Sequence, residues 1–229
     1  MKFKIENEIF EKYPELKIGI IVVKDIDNTG QDDEILKKVQ DEIEKIRQNH
    51  SKPTLSENPK IAAWRKAYSS FGAKPKKYKC SVENLYRMIL DDIDLKHYSK
   101  LVDIYNYISL KYMIPVGGDD IDKVSGDITL GIASGTEKFV ELGSDEVKSP
   151  KEGEVIYSDD EEVLCRRWNW RECDKSKMTE GTKNVALVIE GLGVEVSEIA
   201  KELKELVLKY CRGEAEVYLL GKDNKEASF

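Results

Sequence analysis

The sequence predicts an α+β fold with mixed or antiparallel sheets, because helical and strand-like segments come in blocks rather than in strict alternation. From residue 33 to 112 apolar residues recur at spacings of three and four, whereas from 128 to 189 they recur with a period of two. Gly, Pro, Ser and Asp punctuate the strand-like runs. A chain of 229 residues with 40% apolar content has room for a sizeable core. No repeat, low-complexity stretch or clear linker divides it, so residues 1–229 read as one domain.

Residues 16–23 form a short apolar run closed by Asp27-Asn28-Thr29-Gly30, the pattern of a buried strand. Residues 33–48 place Ile35, Leu36, Val39, Ile43 and Ile46 along one helix face, with charged residues between them. Asn58-Pro59 supplies an N-cap and a first-turn proline for a helix running towards Phe71-Gly72, lined by Trp64, Tyr68 and Phe71. After a basic loop, Ser81 is the expected cap of a short helix carrying Leu85, Met88 and Ile89. A helix through Leu101, Ile104, Tyr105, Ile108 and Tyr112 is expected to end at Pro115, with Gly117-Gly118 as a turn. Residues 128–132, 139–142, 154–157, 163–171 and 185–189 are the expected strands. A last helix carries Leu192, Val196, Ile199, Leu203, Leu206 and Tyr210, capped by Ser197 and stopped by Gly213, before a strand at 215–220.

Composition narrows the function. A net charge of −7 argues against a general DNA coat or a polybasic membrane binder. The longest apolar run, residues 18–23, is far short of the roughly 20 residues of a membrane span, and no signal-like stretch opens the chain. The expectation is a cytoplasmic protein without a DNA or membrane partner. Cys80, Cys165, Cys173 and Cys211 show no pairing motif and lie far from His50 and His97, so no metal is expected and the cysteines read as core residues. Gly131 to Thr136 lacks the ending of a phosphate-binding loop, and Ser134 is not in a nucleophile elbow. No cofactor and no nucleophilic triad is expected. The acidic run from Ser158 to Glu162 reads as a solvated hairpin turn.

The chain has 30 Lys but only 7 Arg, and three of the arginines fall within Cys165-Arg166-Arg167-Trp168-Asn169-Trp170-Arg171 together with two of the three tryptophans. On a strand, Arg167, Asn169 and Arg171 would share one face, and Arg166, Trp168 and Trp170 the other. The first face suits phosphate, carboxylate or RNA edges. The alternative is an aromatic face packed in the core, with the arginines paired to Glu161, Glu162 or Glu172. Asn106, Asn184 and the segment from Gly117 to Asp120 are further polar or flexible points in apolar settings.

The stretch Val102-Asp103-Ile104-Tyr105-Asn106-Tyr107-Ile108-Ser109-Leu110, then Ile114-Pro115 and Asp119-Asp120-Ile121-Asp122-Lys123-Val124, resembles the start of the B-three/B-four (B3/B4) editing domain of the phenylalanyl-tRNA synthetase β subunit. Gly135-Thr136-Glu137, a strand-turn-strand at 155–165, Thr179-Glu180-Gly181-Thr182 and a strand at 184–190 follow in the family's order. Trp64-Arg65, Tyr68, Phe71-Gly72, Pro75 and the Arg-Trp run resemble free-standing members, and the resemblance spans roughly residues 60–210. It implies a three-layer α/β sandwich with mixed sheets. It also implies hydrolysis of the ester of mischarged aminoacyl-tRNA in trans, without aminoacylation.

Two departures accompany it: Gly117 stands where the family has a His, and the family's Gly-rich stretch is replaced by Trp168 to Glu172. A non-catalytic tRNA- or amino-acid-binding module is the alternative. An aminoacyl ester is already activated, so orientation, oxyanion stabilisation and a placed water suffice for its hydrolysis. On the resemblance, Arg167, Asn169 and Arg171 engage the 3′ adenosine or the ester. Asn106, Gly117, Gly118, Glu137 and Trp168 shape the pocket, Thr182 and Asn184 position water, and Lys74, Lys76, Lys77 and Lys79 hold the tRNA. No oligomeric state is read from the sequence.

Overall fold

A computed structural model describes residues 1–229. The chain runs through β1 (Lys2–Ile5), α1 (Asn7–Lys12), β2 (Leu16–Lys24), α2 (Asp33–Asn49), α3 (Pro59–Ser70), α4 (Ser81–Leu90), α5 (Lys100–Tyr112), β3 (Val116–Asp120), β4 (Ile128–Ile132), β5 (Phe139–Val140), β6 (Val147–Lys148), β7 (Val155–Ser158), β8 (Val163–Arg166), β9 (Arg171–Glu172), β10 (Val185–Leu192), α6 (Ser197–Cys211), β11 (Glu214–Leu220) and β12 (Glu226–Ser228). Helix starts follow capping chemistry: the Asp32 carboxylate accepts from the amides of Glu34 and Ile35, Asn58 from Lys60, and Ser99 from Val102. Ser81 and Ser197 do not cap. Each is the first helical residue, after Cys80 and Val196, and neither of those caps with its side chain.

Three layers result. The order β11-β2-β10-β3 makes a four-stranded antiparallel sheet, and β12-β1-β4-β7-β8-β9 makes a six-stranded sheet that is antiparallel except for the β1–β4 pair. Helices α5 and α6 cover one face of the four-stranded sheet, with α2 packed on α5. Side chains on the other face of that sheet meet the six-stranded sheet, as where the Tyr157 hydroxyl of β7 reaches Glu190 of β10. No helix is long and apolar enough to cross a membrane.

All eight residues of β10 are buried, which places this strand at the centre of the core. It pairs with β2 on one side and β3 on the other, aligning Glu190 with Ile18 and Val188 with Gly117. The expected Gly117-Gly118 turn is therefore a strand. After α5 ends at the left-handed Met113, the chain straightens and satisfies the backbone groups on the free edge of β10. β1, α1 and β12 were absent from the sequence reading, being short and rich in charged residues. Leu192 belongs to β10, paired with Leu16, rather than to the last helix.

Gly118 sits where β3 is pressed against its neighbour. A β carbon there would lie 2.4 Å from the Ala186 carbonyl oxygen and 2.9 Å from the Leu187 Cα, both backbone atoms that no side-chain rotation moves. Gly118→Ala is expected to lower unfolding stability by about 1–3 kcal/mol. The check is a reduced urea midpoint at unchanged slope.

Candidate functional site

The Arg-Trp run is a hairpin, not a strand. β8 ends at Arg166, residues 167–170 form the loop, and β9 begins at Arg171, which pairs with Arg166. Arg167 and Trp168 have φ of +47° and +68°, so the alternation expected of an extended strand is lost. Two buried interactions hold this turn. The Arg166 guanidinium donates from Nε and Nη2 to both oxygens of Glu154, each at 3.0 Å, and Arg167 Nη2 lies 2.9 Å from Glu154 Oε1. The Trp168 ring, with no exposed surface, packs 4.7 Å from Tyr13 and 5.0 Å from Trp64, centroid to centroid. Arg167 is further sandwiched between Tyr78, at 3.9 Å, and Trp170, at 4.6 Å.

Between the two sheets this hairpin walls a cavity of about 250 Å³. Its floor is Glu190, whose Oε1 accepts from the Tyr157 hydroxyl at 2.6 Å and whose Oε2 accepts from Asn169 Nδ2 at 2.5 Å. Asn169 is itself fixed, because its Oδ1 accepts from the Tyr68 hydroxyl at 2.8 Å. Gly117, Gly118 and Asp119 of β3 form one side, and Arg171, Glu172 and Glu141 stand at the mouth. The Glu172 head turns inward over Gly117, where a β carbon would lie 3.3 Å from its Oε1. Absence of that carbon leaves the space open.

Exclusion of water governs the carboxyl electrostatics. Burial raises the Glu190 carboxyl to about 7, against the pull of its bonds from Tyr157 and Asn169. Burial likewise raises Asp119 to about 6, opposed by the Ser176 hydroxyl that donates to it at 2.5 Å. The walls, and secondarily the charge of Asp119, push Glu172 in the same direction. The Cys165 thiol is driven well above its ordinary value by burial and by all three carboxylates, which removes it as a nucleophile at neutral pH.

Of the residues singled out in the sequence, Gly117, Gly118, Trp168, Asn169 and Arg171 line this cavity. Lys77, Lys79 and Asn106 line an adjoining groove of about 280 Å³ that shares Ser81, Val116, Trp170, Arg171 and Glu172 with it. Others go elsewhere. Arg167 is spent on Glu154 and the aromatic sandwich, so it does not reach an ester. Thr182 is buried with its hydroxyl donated to Asp120 at 2.7 Å, and Asn184 holds Asp122, which removes both as water-positioning groups. Glu137 caps the amides of Ser134 and Gly135. Lys74 and Lys76 lie on a separate shallow depression.

Sequence reasoning missed Glu190, Tyr157, Asp119 and Glu172 as cavity residues. The signal for Glu190 was present, as a lone carboxylate inside the otherwise apolar run from Val185 to Leu192.

The family model described as B3/4 domain matches residues 63–211, well over half of the chain. A curated relative, the phenylalanine--tRNA ligase beta subunit of Fusobacterium nucleatum, is 35% identical over 68 residues, covering 29% of this chain and 8% of the relative. Among solved structures, an N-terminal fragment of the phenylalanyl-tRNA synthetase beta-subunit from Pyrococcus horikoshii is similar over 94% of this chain and 49% of that chain, with 14% sequence identity and a TM-score of 0.46. The matched regions are thus a small part of the relative and about half of the fragment.

Glu190 gives the site a pH signature in stability. Its folded pKa of about 7 exceeds the ordinary 4.5, so the folded state keeps a proton that the unfolded chain releases. The contribution is therefore fully present below about pH 4.5 and is lost as pH rises through about 7. Glu190→Gln, permanently neutral, is expected to be more stable than the parent by about 1–3 kcal/mol at pH 8. That advantage should vanish near pH 4, as measured by urea unfolding at both pH values.

Proposed function

The chain belongs to the B3/4 domain family, and from that premise we propose that it hydrolyses the ester joining a wrong amino acid to its tRNA, in trans. The observation that carries the reading is the junction of two compartments of opposite character. The cavity offers Asp119, Glu172 and Glu190 to an ammonium group. The adjoining groove offers Lys77, Lys79 and Arg171 to phosphate, with the Trp170 ring and the Asn106 amide beside them. The 3′ end of an aminoacyl-tRNA has the same two parts, an amine on the acyl side and phosphate with a stackable base on the other. Their junction, the ester, falls at the shared wall of Glu172 and Arg171.

Hydrolysis at that wall needs no nucleophilic side chain. Water attacks the ester carbonyl carbon while the Glu172 carboxylate takes its proton. The Arg171 guanidinium faces the negative charge that grows on the carbonyl oxygen. The bond to the ribose oxygen then breaks as that oxygen receives the proton from Glu172. The upward push on the Glu172 pKa brings it towards neutrality, where a carboxylate is a competent base. Asn169 acts through Glu190 and is a positioning residue.

The test is release of amino acid from a panel of correctly and incorrectly charged tRNAs at low salt. One mischarged species is expected to turn over, with Glu172→Gln lowering kcat by about 10²-fold or more. Changing Lys77 and Lys79 together to Ala should raise KM and flatten its rise with salt while leaving kcat in place. Binding of charged tRNA without turnover would make the chain a non-catalytic binding module. Neither binding nor turnover would overturn both readings.

A further inference from the structure

Buried acids in this protein are otherwise paired with cations. Glu83 is held by Arg65 and Arg87, each at 2.8 Å, Glu154 by Arg166 and Arg167, and Asp159 by Lys175 at 2.7 Å. The cavity breaks this pattern. Asp119, Glu172 and Glu190 all face it and all act on the Cys165 thiol, yet no lysine lines it. Its one arginine, Arg171, has a half-exposed side chain and lies 3.2 Å from Glu141 at the mouth. Glu190, only 3% exposed, is approached by neutral donors alone, the Tyr157 hydroxyl, the Asn169 amide and the Trp168 indole, and by no cation. A dehydrated carboxylate without a countercharge is costly, and a bound cation removes that cost. The carboxylates are not grouped with the geometry of metal ligands.

A second observation points to a ligand in the same place. Trp168 has no exposed surface and lines the cavity, and its indole N–H, which approaches Glu190, makes no hydrogen bond of good geometry. The floor therefore holds a buried polar group that the protein alone leaves without a full partner.

The acids also stand at two depths. Glu172 is exposed at the mouth and shared with the groove, with Asp119 on the β3 side, whereas Glu190 is buried on the floor on β10. The α-ammonium of an aminoacyl ester held at the mouth meets the first pair. Its side chain, running inward, ends at Glu190. A hydrocarbon tip would leave that carboxylate unpaired, whereas an ammonium or guanidinium tip would pair it with charge-assisted hydrogen bonds.

We propose that the cavity selects an aminoacyl group whose side chain ends in a cation, a basic amino acid of the lysine, ornithine or arginine type, a proposal that rests on the aminoacyl reading of the site. Glu190 is the residue that sets the preference, and Glu172 with Asp119 serves the α-ammonium common to all such ligands.

The test is calorimetric titration of the full chain at pH 7.5 and low salt with four amides that lack the scissile ester: lysinamide, argininamide, norleucinamide and phenylalaninamide. Norleucinamide differs from lysinamide only by the terminal ammonium group. Lysinamide or argininamide is expected to bind at least tenfold more tightly than norleucinamide. Glu190→Gln should bring that ratio close to one, whereas Glu172→Gln should weaken all the amides together. Thermal unfolding of both variants establishes that they are folded. Equal binding of norleucinamide or phenylalaninamide, a preference that survives Glu190→Gln, no binding of any amide, or displacement of the amides by Mg²⁺ or Ca²⁺ would each overturn the proposal. The two readings separate in the tRNA assay. Turnover of a tRNA carrying an apolar amino acid, without preference among the amides, keeps hydrolysis and discards the selectivity. A preference for basic amides with no turnover of any charged tRNA discards hydrolysis and keeps a cavity selective for cationic side chains.

Discussion

Burial of the Trp168 ring is the constraint on which the site depends. The ring can reach Tyr13 and Trp64 only if the backbone at Arg167 and Trp168 takes positive φ, a conformation that costs a side-chain-bearing residue about 1–2 kcal/mol. Full burial of an indole and the contacts of Arg166 and Arg167 with Glu154 offset that strain. The backbone amide of Trp168 donates to the Val155 carbonyl at 2.6 Å, which ties the loop to β7. Once the turn is fixed, so are its neighbours: Asn169 points between Tyr68 and Glu190, and Arg171 leaves towards Glu141. The cavity wall is thus a by-product of core packing.

Much of this architecture was legible in the sequence because long elements bury one continuous face. β2, α2, α3, α5 and β10 each carry a predominantly apolar buried pattern, and their positions follow from it within a few residues. The failures have physical causes. β3 contains two adjacent glycines, which read as a turn until the open edge of β10 supplies hydrogen-bond partners. The 166–171 hairpin contains neither Gly nor Pro, so nothing local announces a reversal that Trp168 and Glu154 impose from a distance. In the site, the aromatic and amide residues of the Arg-Trp run were visible as a cluster. Their partners Tyr157 and Glu190 come from strands far apart in the chain, and only the fold brings them together.

Net charge conceals how charge is distributed over this surface. The chain carries an excess of seven negative charges, yet Lys77, Lys79 and Arg171 concentrate positive charge in one groove, while Asp119, Glu172 and the buried Glu190 line the space beside it. Separation over such a short span orients a ligand that is itself divided in charge, in a way that an overall field cannot.

The single parallel pairing in the six-stranded sheet reaches further than the site. β1, made of residues 2–5, lies between β12 and β4, so both its neighbours come from distant parts of the chain. Its partners on β4 begin at Ile128 and those on β12 at Glu226, whereas the β7–β8 and β8–β9 pairs join segments only a few residues apart. Closing such long loops costs chain entropy before any ladder bond forms. On loop-closure cost the β7–β8–β9 hairpins, next to the cavity, are expected to pair before β1 closes the sheet.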